Sequence, residues 1–120
     1  MLITSKVCCR PALQEAECPR PLKPVAPERV LELTDVYYGS LHQQDLMKPA
    51  PMFAVKDDDL TLMGFPYRLV AFGAQDKIKW ETGTRNTKFG EVEMSCEGML
   101  YLEGDFTNIV IDPETGERVF

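Results

Sequence analysis

Four prolines within the stretch "CPRPLKPVAP", at positions 19, 21, 24 and 27, restrict this chain more than any other feature. Each fixes φ, removes a backbone donor and biases its predecessor toward extended geometry. The stretch is expected to be polyproline-like, crossing a surface or projecting from one, and it is barred from any central strand. With the residues before it, it makes an expected extended, proline-rich arm over residues 1–27. Within that arm, "LITSKVC" alternates weakly as a first strand would, and "ALQEAE" offers a short helical turn fenced by Pro11 and Pro19.

The pattern changes at Pro27, a favoured first-turn residue of a helix. Val30, Leu33, Tyr37 and Leu41 recur at helical spacing, which predicts a helix over residues 28–38. The same residues, "RVLELTDVYY", are rich in β-branched and aromatic side chains and also read as a strand. A second helix is expected over 41–48, with Ser40 as N-cap, Gln43 three residues on and Pro49 as its stop.

Residues 52–120 read as β. "MFAV" and "LTLM" flank a turn-like "KDDD". "YRLVAFG" is apolar on both alternating faces. "KIKWETG" sets Lys77, Lys79 and Glu81 against Ile78 and Trp80, and "EVEMSCEG" sets Glu91, Glu93 and Ser95 against Val92, Met94 and Cys96. "MLYLEG", "FTNIVID" and a closing turn in "DPETGERVF" complete about six short strands at turn spacing. The expected fold is α+β: a single domain over 28–120, with one or two short helices packed on an antiparallel sheet that curls into a partial barrel or sandwich.

At 120 residues the chain is long enough to close one core unaided. No run of about 18 apolar residues is present to span a membrane, and "MLITSKVCCRP" does not read as a secretory leader. These features lead to an expected cytoplasmic location with free thiols. The net charge of −6 is uneven: residues 1–51 sum to zero, while residues 52–120 carry seven basic against thirteen acidic groups. An acidic body disfavours general affinity for nucleic acid, which needs a positive surface.

Each candidate for chemistry has a plainer reading. Cys8, Cys18 and Cys96 with His42 are enough ligands for one tetrahedral zinc, and Cys9 adds a fourth thiol. The usual pairing of cysteines two to four residues apart is missing, and adjacent Cys8 and Cys9 point opposite ways on an extended chain. Cys96 is expected on an apolar strand face, where cysteine behaves as a small hydrophobe. Ser40, His42 and Asp45 are the residue types of a hydrolase triad, but positions two apart on a helix diverge. Asp57, Asp58 and Asp59 lack the downstream bidentate Glu and the loop glycine of a calcium site and read as an acidic turn. Nor do the glycines of "GFPYRLVAFGAQ" have phosphate-loop spacing, and Phe65 to Tyr67 in the same stretch reads as packing or a contact patch.

"DKIKWETGTRNTKFG" mixes Lys77, Lys79, Arg85 and Lys88 with Trp80 and Phe89, the ingredients of a single-strand nucleic-acid platform. Strand alternation would send Trp80 inward and both lysines outward, which leaves the loop "GTRNTK" as a recognition finger. The reading that results is a non-enzymatic, acidic protein-interaction protein without a cofactor. It is of the kind that serves phages and mobile elements as an accessory inhibitor or particle component. Its partner is another protein, and self-assembly into a homo-oligomer is a further arrangement. The expected contacts are Arg20 and Lys23 on the arm and Arg85, Asn86 and Lys88 on the loop. A single-stranded nucleic-acid-binding barrel using residues 77–89 and a zinc-stabilised module are the alternatives.

Overall fold

The computed structural model describes residues 19–41, 48–84, 89–104 and 108–119. Its elements in chain order are β1 (Arg20–Pro21), β2 (Lys23–Pro24), α1 (Pro27–Gly39), β3 (Phe53–Asp57), β4 (Leu60–Phe65), β5 (Arg68–Phe72), a 3-10 turn (Ala74–Asp76), β6 (Ile78–Gly83), β7 (Phe89–Met94), β8 (Leu100–Gly104) and β9 (Asn108–Ile111). The fold is α+β, as expected, but with two antiparallel sheets instead of one. A five-stranded sheet runs β2-β3-β4-β5-β6 and a four-stranded sheet runs β1-β7-β8-β9. Both orders are open-ended, so where a single sheet curled into a partial barrel or sandwich was expected over residues 52–120, there are two sheets and neither closes into a barrel. The meander breaks after β6, and the chain resumes at β7 beside β1, not beside β6.

The chain divides into two compact units, Lys23–Lys88 and the combination of Met1–Leu22 with Phe89–Phe120. In the larger unit the helical reading of residues 28–38 holds. Pro27 starts α1, and the Val30 amide donates to the Ala26 carbonyl at 3.0 Å. The spacing of apolar side chains outweighs β-propensity here because it gives one continuous face to bury. Leu33 and Tyr37 are buried with Met63, Phe65, Val70 and Phe72, and Val30 and Leu41 pack at the margin. At the other end, Ser40 does not project its hydroxyl forward as an N-cap. It donates to the Tyr37 carbonyl at 2.6 Å, serving one of the helix's terminal acceptors. The second helix expected at 41–48 lies almost wholly outside the described residues.

β5 is an interior strand between β4 and β6, and Leu69, Val70, Ala71 and Phe72 are all buried, matching a strand apolar on both faces. β3 and β4 turn on Asp58 and Asp59, with Asp58 at φ 48°, a left-handed conformation that Asp tolerates. Gly64 of β4 lies opposite Phe53 of β3, and the phenyl ring covers its Cα. A Cβ at position 64 would land on that ring. Gly64→Ala is therefore expected to destabilise by about 1–3 kcal/mol through overpacking. Urea unfolding checks this, and an unchanged midpoint would show that Phe53 swings aside freely.

In the other unit, β7 and β8 join through Ser95–Met99. The Ser95 amide donates to the Met99 carbonyl at 2.8 Å, and the Gly98 amide donates back to the Ser95 carbonyl at 3.0 Å. Gly98 takes φ 81°, the left-handed position such a three-residue loop requires. Val92, Met94, Leu100, Leu102, Ile109 and Ile111 form the buried side of this sheet. Asp112–Gly116 then turns the chain back, and Arg118 and Val119 close against Ile111 and Val110.

The prolines sit where a sheet can accept them. β1 and β2 are both edge strands of two residues. Leu22 donates its amide to the Val92 carbonyl at 3.2 Å, so its neighbour Pro21 falls at a position whose missing N–H would have pointed away from β7. Part of the expected arm is thus laid down as sheet margin.

Candidate functional site

The turn joining β4 to β5 is the most unusual local structure in the larger unit. Phe65 pairs with Arg68, leaving Pro66 and Tyr67 as a two-residue loop. Pro66 fixes a negative φ at the first loop position, and a positive φ at the second makes this a type II arrangement, in which glycine is the usual occupant. Here it is Tyr67, at φ 64°. For a bulky side chain this is an outlier, of the kind found where structure serves contact or chemistry. Tyr67 is 70% exposed.

Three sets of interactions hold that ring out. Phe65, at the root of the loop, is buried and stacked on Tyr37, with ring centroids 4.6 Å apart and an interplanar angle of 28°. Tyr38 meets it edge-on at 5.6 Å, and the Tyr38 hydroxyl donates to the Pro49 carbonyl at 2.7 Å. On the other side, Arg68 is paired with Glu81 on β6, and the Tyr37 hydroxyl donates to the same Glu81 oxygen at 2.8 Å. Finally, the Thr84 amide donates to the Tyr67 carbonyl at 3.0 Å. The loop is a braced platform for one exposed aromatic ring.

Burial and then the Glu81 carboxylate raise the Tyr37 pKa above its usual value near 10, because each disfavours the phenolate. Glu81 also raises the Arg68 pKa, so the guanidinium stays charged. A tyrosine held neutral in the fold adds stability that is complete below pH about 10 and is lost as pH rises through its folded value. Tyr37→Phe should cost about 1 kcal/mol at neutral pH, the worth of an ordinary hydrogen bond. The gap between wild type and variant should close above pH 10, as followed by urea midpoints from pH 8 to 11.5. A gap that widens with pH would contradict this sign.

Two further features mark the larger unit. An open, apolar groove of about 440 Å³ is lined by Val25, Pro27, Val30, Leu31, Pro51, Phe53 and Ala54, and Leu31 is 68% exposed. Arg29, on the first turn of α1, pairs with Glu32 at 2.9 Å and with Asp76. Asp76 and its neighbour Gln75 both have positive φ, 62° and 60°, and the Arg29 pair anchors that turn.

The residues picked from sequence are only partly brought together. Lys23 is exposed in β2 and lies directly opposite Lys56 of β3, making a cationic pair at the sheet edge. Arg20 is half-buried in β1, in the other unit. Arg85, Asn86 and Lys88 lie outside the described residues, but Thr84, immediately before them, is bonded to Tyr67. Trp80 is buried and Lys77 and Lys79 are exposed, so the tryptophan is not on the lysine face of the strand. No protein-family model, no curated protein and no solved structure matches this chain.

The cysteine expectations need correction. Strand β7 ends at Met94, so Cys96 sits in the β7–β8 loop and not on an apolar strand face. It is also disulfide-bonded, not a free thiol. A disulfide sulfur is no thiolate ligand, which removes Cys96 from the candidate zinc set; Cys8, Cys18 and His42 lie outside the described residues. Of the triad residues, His42 and Asp45 are likewise outside them. Sequence reasoning treated "FPY" as one block, but the structure divides it: Phe65 is packing and Tyr67 is surface. The available signal was Pro66 itself, a residue suited to the first position of a type I or type II turn, only the second of which puts its successor in the left-handed region.

Proposed function

We propose that this chain is a non-enzymatic protein-interaction module whose contact surface centres on the Phe65–Arg68 loop and the adjoining corner at Thr84. The observation that carries the reading is Tyr67, an exposed aromatic ring kept at an unfavourable backbone conformation by a well-braced turn. Tyrosine and arginine are the residues most often responsible for binding energy at interfaces, and a rigid anchor loses little entropy when it docks. Thr84 supports the reading too: its side-chain oxygen is buried and has no hydrogen-bond partner among the described residues, a group that calls for an explanation. Arg85, Asn86 and Lys88 follow Thr84 directly in the sequence and are proposed as further contact residues.

This contact suits an accessory inhibitor or a particle component, the roles expected from size and charge. The nucleic-acid reading gains no support from a tryptophan turned to the core. Among the described residues no helix is long and apolar enough to cross a membrane. Disulfides persist in oxidising compartments and are rare in a reducing cytosol. The bond at Cys96 therefore weighs against a cytoplasmic location and for an oxidising one.

Hydrogen exchange on the protein with and without its co-purified partner tests the surface. Protection should appear at Tyr67, Arg68 and Gly83–Thr84. Protection confined to β8 and β9 would place the contact elsewhere and sink the assignment.

A further inference from the structure

We propose that the apolar groove between β2, β3 and the first turns of α1 takes an acidic, leucine-bearing peptide segment of a partner protein, with its apolar side chains in the groove and its carboxylates on Lys23 and Lys56. Val25 and Ala54 line the groove from the sheet, and Pro27, Val30 and Leu31 line it from the helix. Its volume of about 440 Å³ falls in the range of ligand clefts, about 300–1,000 Å³. Leu31 is 68% exposed there, an apolar side chain that the described residues leave bare. None of these residues belongs to the Phe65–Arg68 loop, so the groove is proposed independently of that surface.

Charge decides the occupant. Lys56 lies two residues beyond Ala54 on β3, on the same face and about 6.6 Å away. Lys23 is opposite Lys56, and Val25 continues beside Ala54, whose carbonyl accepts its amide at 3.1 Å. Ala54 packs against the cluster that holds α1, so both lysines flank the groove on the helix side of the sheet. Both are exposed, and among the described residues neither is ion-paired. Like charges directly opposite each other destabilise a strand pair, and an incoming carboxylate turns that repulsion into attraction. The acidic residues of α1 do not supply it: Glu28 and Glu32 stand about 100° and 140° round the helix from Pro27, away from Val30, and Glu32 is paired with Arg29. Pro24 disfavours capture by strand addition. Because Val25 donates to Ala54, the Pro24 nitrogen faces the outer edge of β2 and has no hydrogen to give. Side chains, not backbone, then hold the occupant. An extended peptide sets alternate side chains in the groove and a carboxylate two residues further on at the lysines.

Fluorescence anisotropy on the full chain at low salt tests this, with the labelled peptide acetyl-Leu-Ser-Leu-Ser-Glu-Glu amide and its reversed sequence as probes. At least one should bind saturably with Kd below about 1 mM. Replacing both glutamates by glutamine, or both leucines by serine, should weaken it at least about tenfold. Lys56→Glu should weaken it by a similar factor while Tm holds or rises, since the variant sets opposite charges across the strand pair. Leu31→Ser, at an exposed position, should weaken binding about threefold or more without lowering Tm, and Tyr67→Gly should bind as wild type does. Amide chemical shifts should move at Val25, Val30, Leu31 and Ala54. No saturable binding, equal binding of the glutamine peptide, indifference to Lys56→Glu and Leu31→Ser, or shift changes confined to Phe65–Arg68 overturns the proposal. A dimer in sedimentation that Leu31→Ser dissolves assigns the groove to a second copy of the chain and overturns it as well.

Discussion

Phe72→Ala should lower stability by about 3–5 kcal/mol, the usual loss when a large buried ring leaves a cavity that cannot collapse. Phe72 is 1% exposed and belongs to the cluster that joins α1 to the five-stranded sheet, touching the same core as Leu33, Tyr37, Met63, Phe65 and Val70. Phe72 lies where β5 and β6 slip register, between Ala71 and Phe72. Since natural domains keep only about 5–15 kcal/mol in hand, this single change should bring the chain close to unfolding at room temperature. Phe72→Leu, which keeps most of the volume, should lose considerably less. The comparison is made by guanidinium unfolding, and equal losses for Ala and Leu would show that shape, not cavity volume, governs the site.

Tyr67→Gly should separate binding from stability. A non-glycine residue in the left-handed region costs about 1–2 kcal/mol, and glycine relieves that while adding about 0.5–1 kcal/mol of unfolded-state freedom. With Tyr67 70% exposed, little burial is lost. Tm should stay level or rise slightly. Affinity for the partner should fall at least about 30-fold, the signature of an interface anchor worth 2 kcal/mol or more. A drop in Tm of more than about 5 °C would mean that Tyr67 is structural, and the strain would then have no functional meaning.

Patterns of short period were legible in the sequence. Val30, Leu33 and Tyr37 announced the packed face of α1, the uninterrupted apolar run of β5 announced an interior strand, and Lys-Ile-Lys-Trp announced which way Trp80 turns. These follow from helix and strand periodicity, which any local window contains. Features that depend on distant partners were hidden. Nothing in "RP" at 20–21 says that its partner lies at 93–94, so the split into two sheets could not be read. The Arg68–Glu81–Tyr37 brace joins a strand, its neighbour and a helix. Cys96 was misplaced because the strand ends at Met94, earlier than the alternation suggests, and its thiol was expected to be free on compartment alone. Of the site, Arg85 and Lys88 lie outside the described residues, and Tyr67 needed its backbone angle to stand out.

The central claim is most directly tested by native mass spectrometry of wild type and Tyr67→Gly, each recovered from the source lysate in the same way. Wild type should carry a stoichiometric added mass of another protein, and Tyr67→Gly should appear without it while keeping its fold by circular dichroism. Equal occupancy in both, or a wild-type chain that emerges bare or only self-associated, would contradict a Tyr67-centred docking surface.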